Sequence, residues 1–414
     1  MLRCGLLGEK LGHSYSQMIH ERLADYRYEL KEIAPERLDA FIEARNFRGL
    51  NVTIPYKQAV MKYCAELSPE AMEVGSVNTL IVRPDGSLFG HNTDIDGFIY
   101  MLRRGEIDPA GAKAVILGSG GTSLTARAAL TRLGAREIVT VSRKGPVDYA
   151  ALYAEHADAE ILVNATPVGM YPKNGASPVE LDRLPKVRGV ADVIYNPEKT
   201  ALILAAQAKG IPAVSGLSML VAQAREAAEL FAGHAIPAGR VEDIVSEIGA
   251  QTLNLILVGM PGCGKSTLGQ AVAAALQREF VDCDAEIVRR AGKSIPEIFA
   301  QDGEGAFRAL ESGVLADVCR GHGLVISTGG GAVLRAENRD AMRQNGRVCL
   351  IRRARALLPR DGRPLSASED AVARLWEARR AAYETAADFP VENDGTVEEA
   401  AEKVREGFYE AAHH

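Results

Sequence analysis

The chain has 414 residues, too many for one ordinary domain; at roughly 150 residues per domain it should hold two or three. Its 48 basic and 54 acidic residues give a net charge of −6 with no long run of either sign, which argues against a phosphate-tracking nucleic-acid surface. At 47% hydrophobic and 25% charged it has the composition of an average soluble globular protein, and no stretch approaches the roughly 18 consecutive apolar residues of a membrane span. The N-terminal run from Met1 to Gly8 is strand-like and shows no signal peptide. The six cysteines (4, 64, 263, 283, 319 and 349) form no C-x-x-C pair, so free thiols in a reducing cytoplasm are expected, without a disulfide framework or zinc site. Small molecules are the expected partners, with neither nucleic acid nor membrane, and nothing in the sequence speaks to oligomeric state.

In chain order, apolar strand-like runs alternate with Ala- and Leu-rich helical stretches, the pattern of α/β domains built on parallel sheets. Residues 1 to about 98 read as an α/β block without a phosphate loop. It carries Gly12-His13-Ser14-Tyr15-Ser16, the run Gly49 to Lys57, Gly75-Ser76-Val77-Asn78-Thr79 and the run Gly90 to Gly97. Such hydroxyl and amide side chains suit a small polyhydroxylated acid: Ser14 and Ser16 can donate to a carboxylate, while Asn78, Asp94 and the later Gln223 can bind ring hydroxyls. Reduction of a ketone needs a proton donor where alkoxide charge develops, and Lys57 held by Asp94 supplies one.

The second block, about 99–232, opens on a strand, Ala114–Leu117, that enters Gly118-Ser119-Gly120-Gly121-Thr122 and then a helix over Leu124–Leu133. This is a dinucleotide loop of the G-x-G-G kind rather than the strict G-x-G-x-x-G. An NAD site should show an acid about 20 residues further on; here the next strand, Glu137–Val141, ends in Ser142-Arg143-Lys144, which points to NADP. A strand over Ile161–Asn164, the run Asp192 to Pro197 with Tyr195, and the run Gly216 to Gln223 follow. The motifs of 1–232 resemble shikimate dehydrogenase. The resemblance implies an N-terminal substrate domain, completed by a return helix over about 216–232, and a Rossmann-type NADP domain. It also implies catalysis by Lys57 and Asp94, and shikimate binding by Ser14, Ser16, Thr53, Asn78, Tyr195 and Gln223. NADP(H) would fall to Gly118, Ser119, Gly120, Gly121, Thr122, Ser142, Arg143, Lys144 and Gly216. Gln17 and Ser142 depart from the family's usual Pro and Asn.

Residues 233–252 read as a short junction containing an amphipathic piece, Val241–Ile248. In the third block, 253–414, the strand Leu253–Val258 leads into Gly259-Met260-Pro261-Gly262-Cys263-Gly264-Lys265-Ser266-Thr267 and a helix over Leu268–Leu276, a full phosphate loop in its proper setting. Strands over Leu324–Ser327 and Val348–Ile351 complete a second nucleotide-binding sheet. Asp282 and Asp284 stand two residues apart and are placed on one face of a strand end. The runs Gly303 to Glu311, Thr328 to Gly331, Arg360 to Leu365 and Arg379 to Tyr383 follow, and arginines from separate segments can hold an anionic acceptor.

In this order and spacing, 253–414 resembles shikimate kinase. The resemblance implies Asp284 as base and hydroxyl ligand, and Arg308 and Arg379 as carboxylate clamp with Gly330 against the ring. Lys265 serves the phosphates with Gly262, Cys263, Gly264, Ser266 and Thr267, and Ser266 and Asp282 serve Mg²⁺. Arg363 becomes the lid arginine, on a segment shorter than the family's usual one, with Arg360 as the alternative. His413-His414 reads as tail rather than metal site.

The expected architecture is therefore α/β throughout: a substrate domain and a Rossmann-like domain followed by a P-loop kinase domain. The expected function is NADPH-dependent reduction of 3-dehydroshikimate to shikimate and then its phosphorylation by ATP. Two alternatives stand beside it: one half is catalytically inactive and serves as a binding or scaffold module, or the first half is an NAD-linked quinate/shikimate dehydrogenase.

Overall fold

The computed structural model describes residues 2–12, 14–358 and 369–413. The chain divides into two units: Met1–Val168, Ser177–Tyr195 and Ala205–Val245 make the first; Gly169–Ala176, Asn196–Leu204 and Ser246–His414 make the second. The blocks read as 1–98 and 99–232 thus contribute mainly to one unit. The junction differs from the short piece expected: a single helix runs over Arg240–Thr252, and the division falls inside it.

The first unit contains two sheets. One is six-stranded, formed by β1 (Arg3–Gly8), β2 (Arg27–Glu32), β3 (Gly49–Val52), β4 (Glu66–Leu67), β5 (Thr79–Val82) and β6 (Leu88–His91) in the order β2-β1-β3-β5-β6-β4. It is mixed, with β5 antiparallel to both β3 and β6. The other is wholly parallel: β7 (Lys113–Leu117), β8 (Glu137–Val141), β9 (Ile161–Asn164), β10 (Gly189–Asp192) and β11 (Ala213–Ser215), ordered β11-β10-β9-β7-β8. Its first strand lies between the second and third, so the winding reverses at β7/β9. Ligands of doubly wound sheets bind at the carboxyl ends of the strands at such a reversal. All five residues of β7 are buried, as expected of a central parallel strand covered on both faces.

Helix Leu217–Ala232 packs on helix Asp94–Arg104. Gly97 makes the approach possible, since a Cβ there would stand 2.8 Å from Met219 O and 2.9 Å from Gln223 Cβ. The same contact carries Gln223 to the head of the Asp94 helix.

The second unit has one parallel sheet of β12 (Asn254–Val258), β13 (Phe280–Asp282), β14 (Val325–Ser327), β15 (Gly346–Arg352) and β16 (Phe389–Glu392), ordered β13-β14-β12-β15-β16. The fully buried β12 is its centre and delivers the phosphate loop to the carboxyl edge. Among the described residues no helix is long and apolar enough to cross a membrane, and all six cysteines are free.

Candidate active sites

In the first unit a cavity of about 580 Å³ opens beside the carboxyl ends of β1, β3 and β10. Of the substrate and catalytic residues expected from sequence, Ser14, Ser16, Thr53, Lys57, Asn78, Asp94, Tyr195 and Gln223 all line it. Thr122 and Gly216 from the expected cofactor set join them. Lys57 Nζ donates to Asp94 Oδ2 at 2.6 Å, and Asn78 Nδ2 donates to Asp94 Oδ1 at 2.8 Å, so each carboxylate oxygen has its own donor. Asp94 is the first residue of its helix, where the exposed amides favour a negative charge, and Asn92 Oδ1 accepts from its N–H at 3.0 Å. Asn78 Oδ1 accepts from Thr93 N at 2.9 Å, and Gln223 Nε2 donates to Leu220 O at 2.8 Å. Amide side chains already held by backbone present fixed donors and acceptors to a polyol. Ser14 Oγ donates to Ser16 Oγ at 3.0 Å, placing two hydroxyls side by side. Burial pushes the Tyr195 phenol above its ordinary pKa, so it remains a neutral donor.

The loop after β7 fits a dinucleotide. Gly118 has φ +107°, which L side chains rarely adopt, and a Cβ there would stand 2.9 Å from Ala165 O. Gly120 caps helix Gly121–Arg132, and the space where Cβ atoms of Gly120 and Gly121 would project is open, so a pyrophosphate can reach the amides of the helix N-terminus. Ser119 lies in this turn. Ser142, Arg143 and Lys144 follow the end of β8, with both cations exposed and no acid between them. Sequence reasoning assigned no role to Thr93 or to Asn51. Asn51 Oδ1 accepts from the buried Tyr28 hydroxyl at 2.8 Å while the residue lines the cavity.

In the second unit the phosphate loop spans Gly259 to Thr267. Gly264, at φ +95°, caps helix Lys265–Leu276, and Asn393 Nδ2 donates to Cys263 O at 2.8 Å to hold the loop's shape. Lys265 Nζ is folded onto the loop, donating to Gly259 O at 3.0 Å and Met260 O at 3.1 Å. Gly262 and Cys263 lie in the loop between Met260 and Lys265, and Thr267 continues the helix on its exposed side. Ser266 Oγ donates to Asp282 Oδ2 at 2.6 Å, a hydroxyl and carboxylate whose oxygens suit a hard cation that keeps waters and phosphate oxygens as its other ligands.

The placing of the two aspartates differs from the strand face expected. Asp282 ends β13 and is the N-cap of helix Cys283–Ala291, its Oδ1 accepting from Asp284 N at 3.0 Å and Ala285 N at 3.2 Å. The cap turns the chain out of extended conformation at once, so Asp284 sits in the first helical turn rather than on the strand face. Burial first, then Asp282 and Glu311, raise the Asp284 carboxyl above the usual range, against the pull of Lys265 and Arg308.

Asp284, Arg308, Glu311 and Arg379 converge on Gly329–Gly331. Arg308 Nη1 donates to Glu311 Oε2 at 2.7 Å, and Arg379 Nη1 donates to Gly330 O at 3.0 Å. Glu311 is only 2% exposed and was not assigned a role from sequence, although its position three residues after Arg308 on helix Gly303–Cys319 carries the signal. Arg363 and the alternative Arg360 lie outside the described residues.

Gly331 supplies a test. Its φ of −105° admits any residue, but a Cβ would stand 2.5 Å from Arg308 Nη1. Gly331→Ala is therefore expected to fold normally and to raise the KM for the phosphoryl acceptor expected from sequence about tenfold by displacing that guanidinium, read in an ADP-release assay. An unchanged KM would remove Arg308 from the acceptor site.

Comparison with known proteins finds a family for each part of the chain. The family model described as shikimate dehydrogenase substrate binding domain matches residues 6–80, and the one described as shikimate kinase matches 261–408. The shikimate dehydrogenase (NADP(+)) of Caldanaerobacter subterraneus subsp. tengcongensis is 36% identical over 255 residues, covering 55% of this chain and 91% of that protein. That of Methanopyrus kandleri is 37% identical over 276 residues, 59% of this chain and 94% of its own. Among solved structures, a chorismate mutase/shikimate 5-dehydrogenase fusion from Clostridium acetobutylicum superposes with a TM-score of 0.56 at 35% identity, over 59% of this chain and 96% of that one. The shikimate 5-dehydrogenase of Thermus thermophilus, solved with NADP(H) and shikimate, gives 0.54 at 32%, over 59% and 98%. With nearly the whole length of these relatives matched in its first part and the kinase model matched in its last, the chain belongs to the shikimate dehydrogenase family and carries a shikimate kinase domain fused behind it.

Proposed function

We propose that the chain reduces 3-dehydroshikimate to shikimate with NADPH and phosphorylates shikimate on its 3-hydroxyl with ATP and Mg²⁺. The observation that carries the reading is the Lys57–Asp94 pair at 2.6 Å inside a cavity lined, apart from Lys10, by hydroxyl, amide and apolar groups. NADPH, when bound along the Gly118–Thr122 loop, supplies the hydride. Lys57 then gives a proton to the carbonyl oxygen as negative charge develops there, and Asp94 holds the ammonium at that atom. Ser14 and Ser16 take the carboxylate, while Asn78 and Gln223 orient the ring hydroxyls. Arg143 and Lys144 favour NADP over NAD, as their charge complements a 2′-phosphate.

In the second unit ATP with Mg²⁺ supplies the phosphoryl group. Asp284 takes the proton of the acceptor hydroxyl, Arg308 and Arg379 hold the acceptor carboxylate, and Lys265 neutralises the phosphates. The partners are small molecules and the location is cytoplasmic, which six free thiols suit.

Incubation with 3-dehydroshikimate, NADPH, ATP and Mg²⁺ is expected to yield shikimate 3-phosphate, with one NADPH and one ATP consumed per product, identified by mass. Accumulation of shikimate alone would leave the second unit a binding module. A quinate dehydrogenase from Corynebacterium glutamicum, solved with NAD, superposes with a TM-score of 0.54 at 28% identity. Faster oxidation of quinate with NAD than of shikimate with NADP would accordingly overturn the substrate and cofactor assignment.

A further inference from the structure

A substrate bearing a carboxylate brings one negative charge into the first unit's cavity. Among the described residues, three that line it carry formal charge: Lys10, Lys57 and Asp94. Lys57 and Asp94 neutralise each other at 2.6 Å. Ser14 and Ser16 offer hydroxyl dipoles only, and one already donates to the other. Neutral donors compensate incompletely for the hydration a carboxylate loses on entering a partly closed site. Lys10 remains: it is exposed at the rim, and none of the described residues forms an ion pair with it. It sits just past β1, and the next residue's N–H, at Leu11, donates to Glu32 Oε1 at 2.7 Å, which fixes the loop carrying Lys10 and the two serines.

We propose that Lys10 is the countercharge for the substrate carboxylate and makes the first site select anionic over neutral cyclic polyols. This rests on reading the cavity as a shikimate site. The loop of Lys10 continues directly into Gly12, Ser14 and Ser16, whereas the groups suited to cofactor phosphates stand after β7 and β8, at Gly120–Thr122 and Arg143–Lys144. With Lys57 and Asp94 cancelling, Lys10 gives the cavity a net charge of +1, the complement of a monoanion.

The test is NADP-linked oxidation by the full chain of shikimate and of its neutral carboxamide, at low ionic strength. Lys10→Gln is expected to raise the shikimate KM about fivefold, the effect of one rim charge in largely aqueous surroundings, with kcat changed less than about twofold. KM for the carboxamide and for NADP should not move, Lys10→Arg should restore the wild-type values, and added salt should shrink the difference. An equal effect of Lys10→Gln on acid and amide would overturn the proposal, by showing that the residue only shapes the loop. A rise in the NADP KM instead would overturn it in favour of a cofactor-phosphate contact. If the unaltered protein oxidises neither compound, the dehydrogenase reading itself fails, and the proposal with it.

Discussion

Lys57→Ala is expected to lower kcat for NADP-linked shikimate oxidation by about three orders of magnitude, within the 10²–10⁴ range typical of a removed general acid–base. Of the two ammonium groups among the described residues that line the cavity, only that of Lys57 is held by a carboxylate, at 2.6 Å, while Lys10 stands exposed at the rim. Ser14, Ser16, Asn78 and Gln223 stay in position, because their hydrogen bonds run to one another and to backbone rather than to Lys57. The loss should therefore fall on kcat, with KM shifted much less. Asp94 keeps its bond from Asn78 and its place at a helix N-terminus, so it is left without its counter-ion but not without donors, and the variant should fold. The same protein should keep its shikimate-dependent ADP release, whose proposed residues Lys265, Asp284, Arg308 and Arg379 all belong to the second unit. Loss of both activities in a variant with an unaltered melting curve would refute the independence of the two sites.

What could be read from sequence follows from what is local. Both glycine loops announce themselves because they end fully buried strands, β7 and β12, whose apolar runs need no tertiary knowledge to recognise. The phosphate-loop residues are consecutive, so their shared purpose is visible in one stretch. The hairpin β5–β6 carries a signal too: Asp85-Gly86 after Pro84, with Gly86 at φ +81° and Asp85 Oδ1 accepting from Ser87 N at 2.9 Å. By contrast, β16 includes Pro390 and pairs only with β15, as an edge strand that periodicity does not reveal. Asp284 looks like a strand residue until the Asp282 cap is seen, because two carboxylates two apart satisfy a period of two as readily as they begin a helix. Asn51, and the burial of Glu311 beyond its spacing from Arg308, required the third dimension for another reason. Each is an ordinary residue of its element, and what distinguishes it is a buried partner, Arg308 in one case and Tyr28 in the other. The approach of Gln223 to Asn78 depends on Gly97, a helix glycine whose purpose shows only once another helix lies against it.

Asp284→Asn is expected to reduce phosphoryl transfer by at least about 10² while making the second unit more stable at neutral pH, a combination that a merely structural carboxylate would not give. The Asp284 carboxyl lies above its ordinary pKa because of burial and the nearby Asp282 and Glu311. A group whose pKa is higher folded than unfolded binds its proton more tightly in the native state, so ionising it weakens the fold. That penalty is absent below the unfolded value of about 3.9, grows as pH rises through the interval up to the folded value, and is complete above it. Asn keeps the shape and removes the charge, so the thermal midpoint of the variant should exceed that of the parent at pH 7 and the two should converge in acid. Activity runs the other way. A proton acceptor must be ionised, so the parent's phosphorylation rate should fall on acidification at a higher pH than an ordinary carboxylate would dictate, whereas the residual rate of Asp284→Asn should lack that limb. The burial that costs stability is also what makes the carboxylate a stronger base for the acceptor hydroxyl, with Gly329 leaving room beside it: a Cβ there would stand 2.9 Å from Asp284 Oδ1. Should Asp284→Asn melt below the parent at pH 7, or transfer phosphate at the parent's rate, the carboxylate would be a structural anchor and the proton would have to leave by another group.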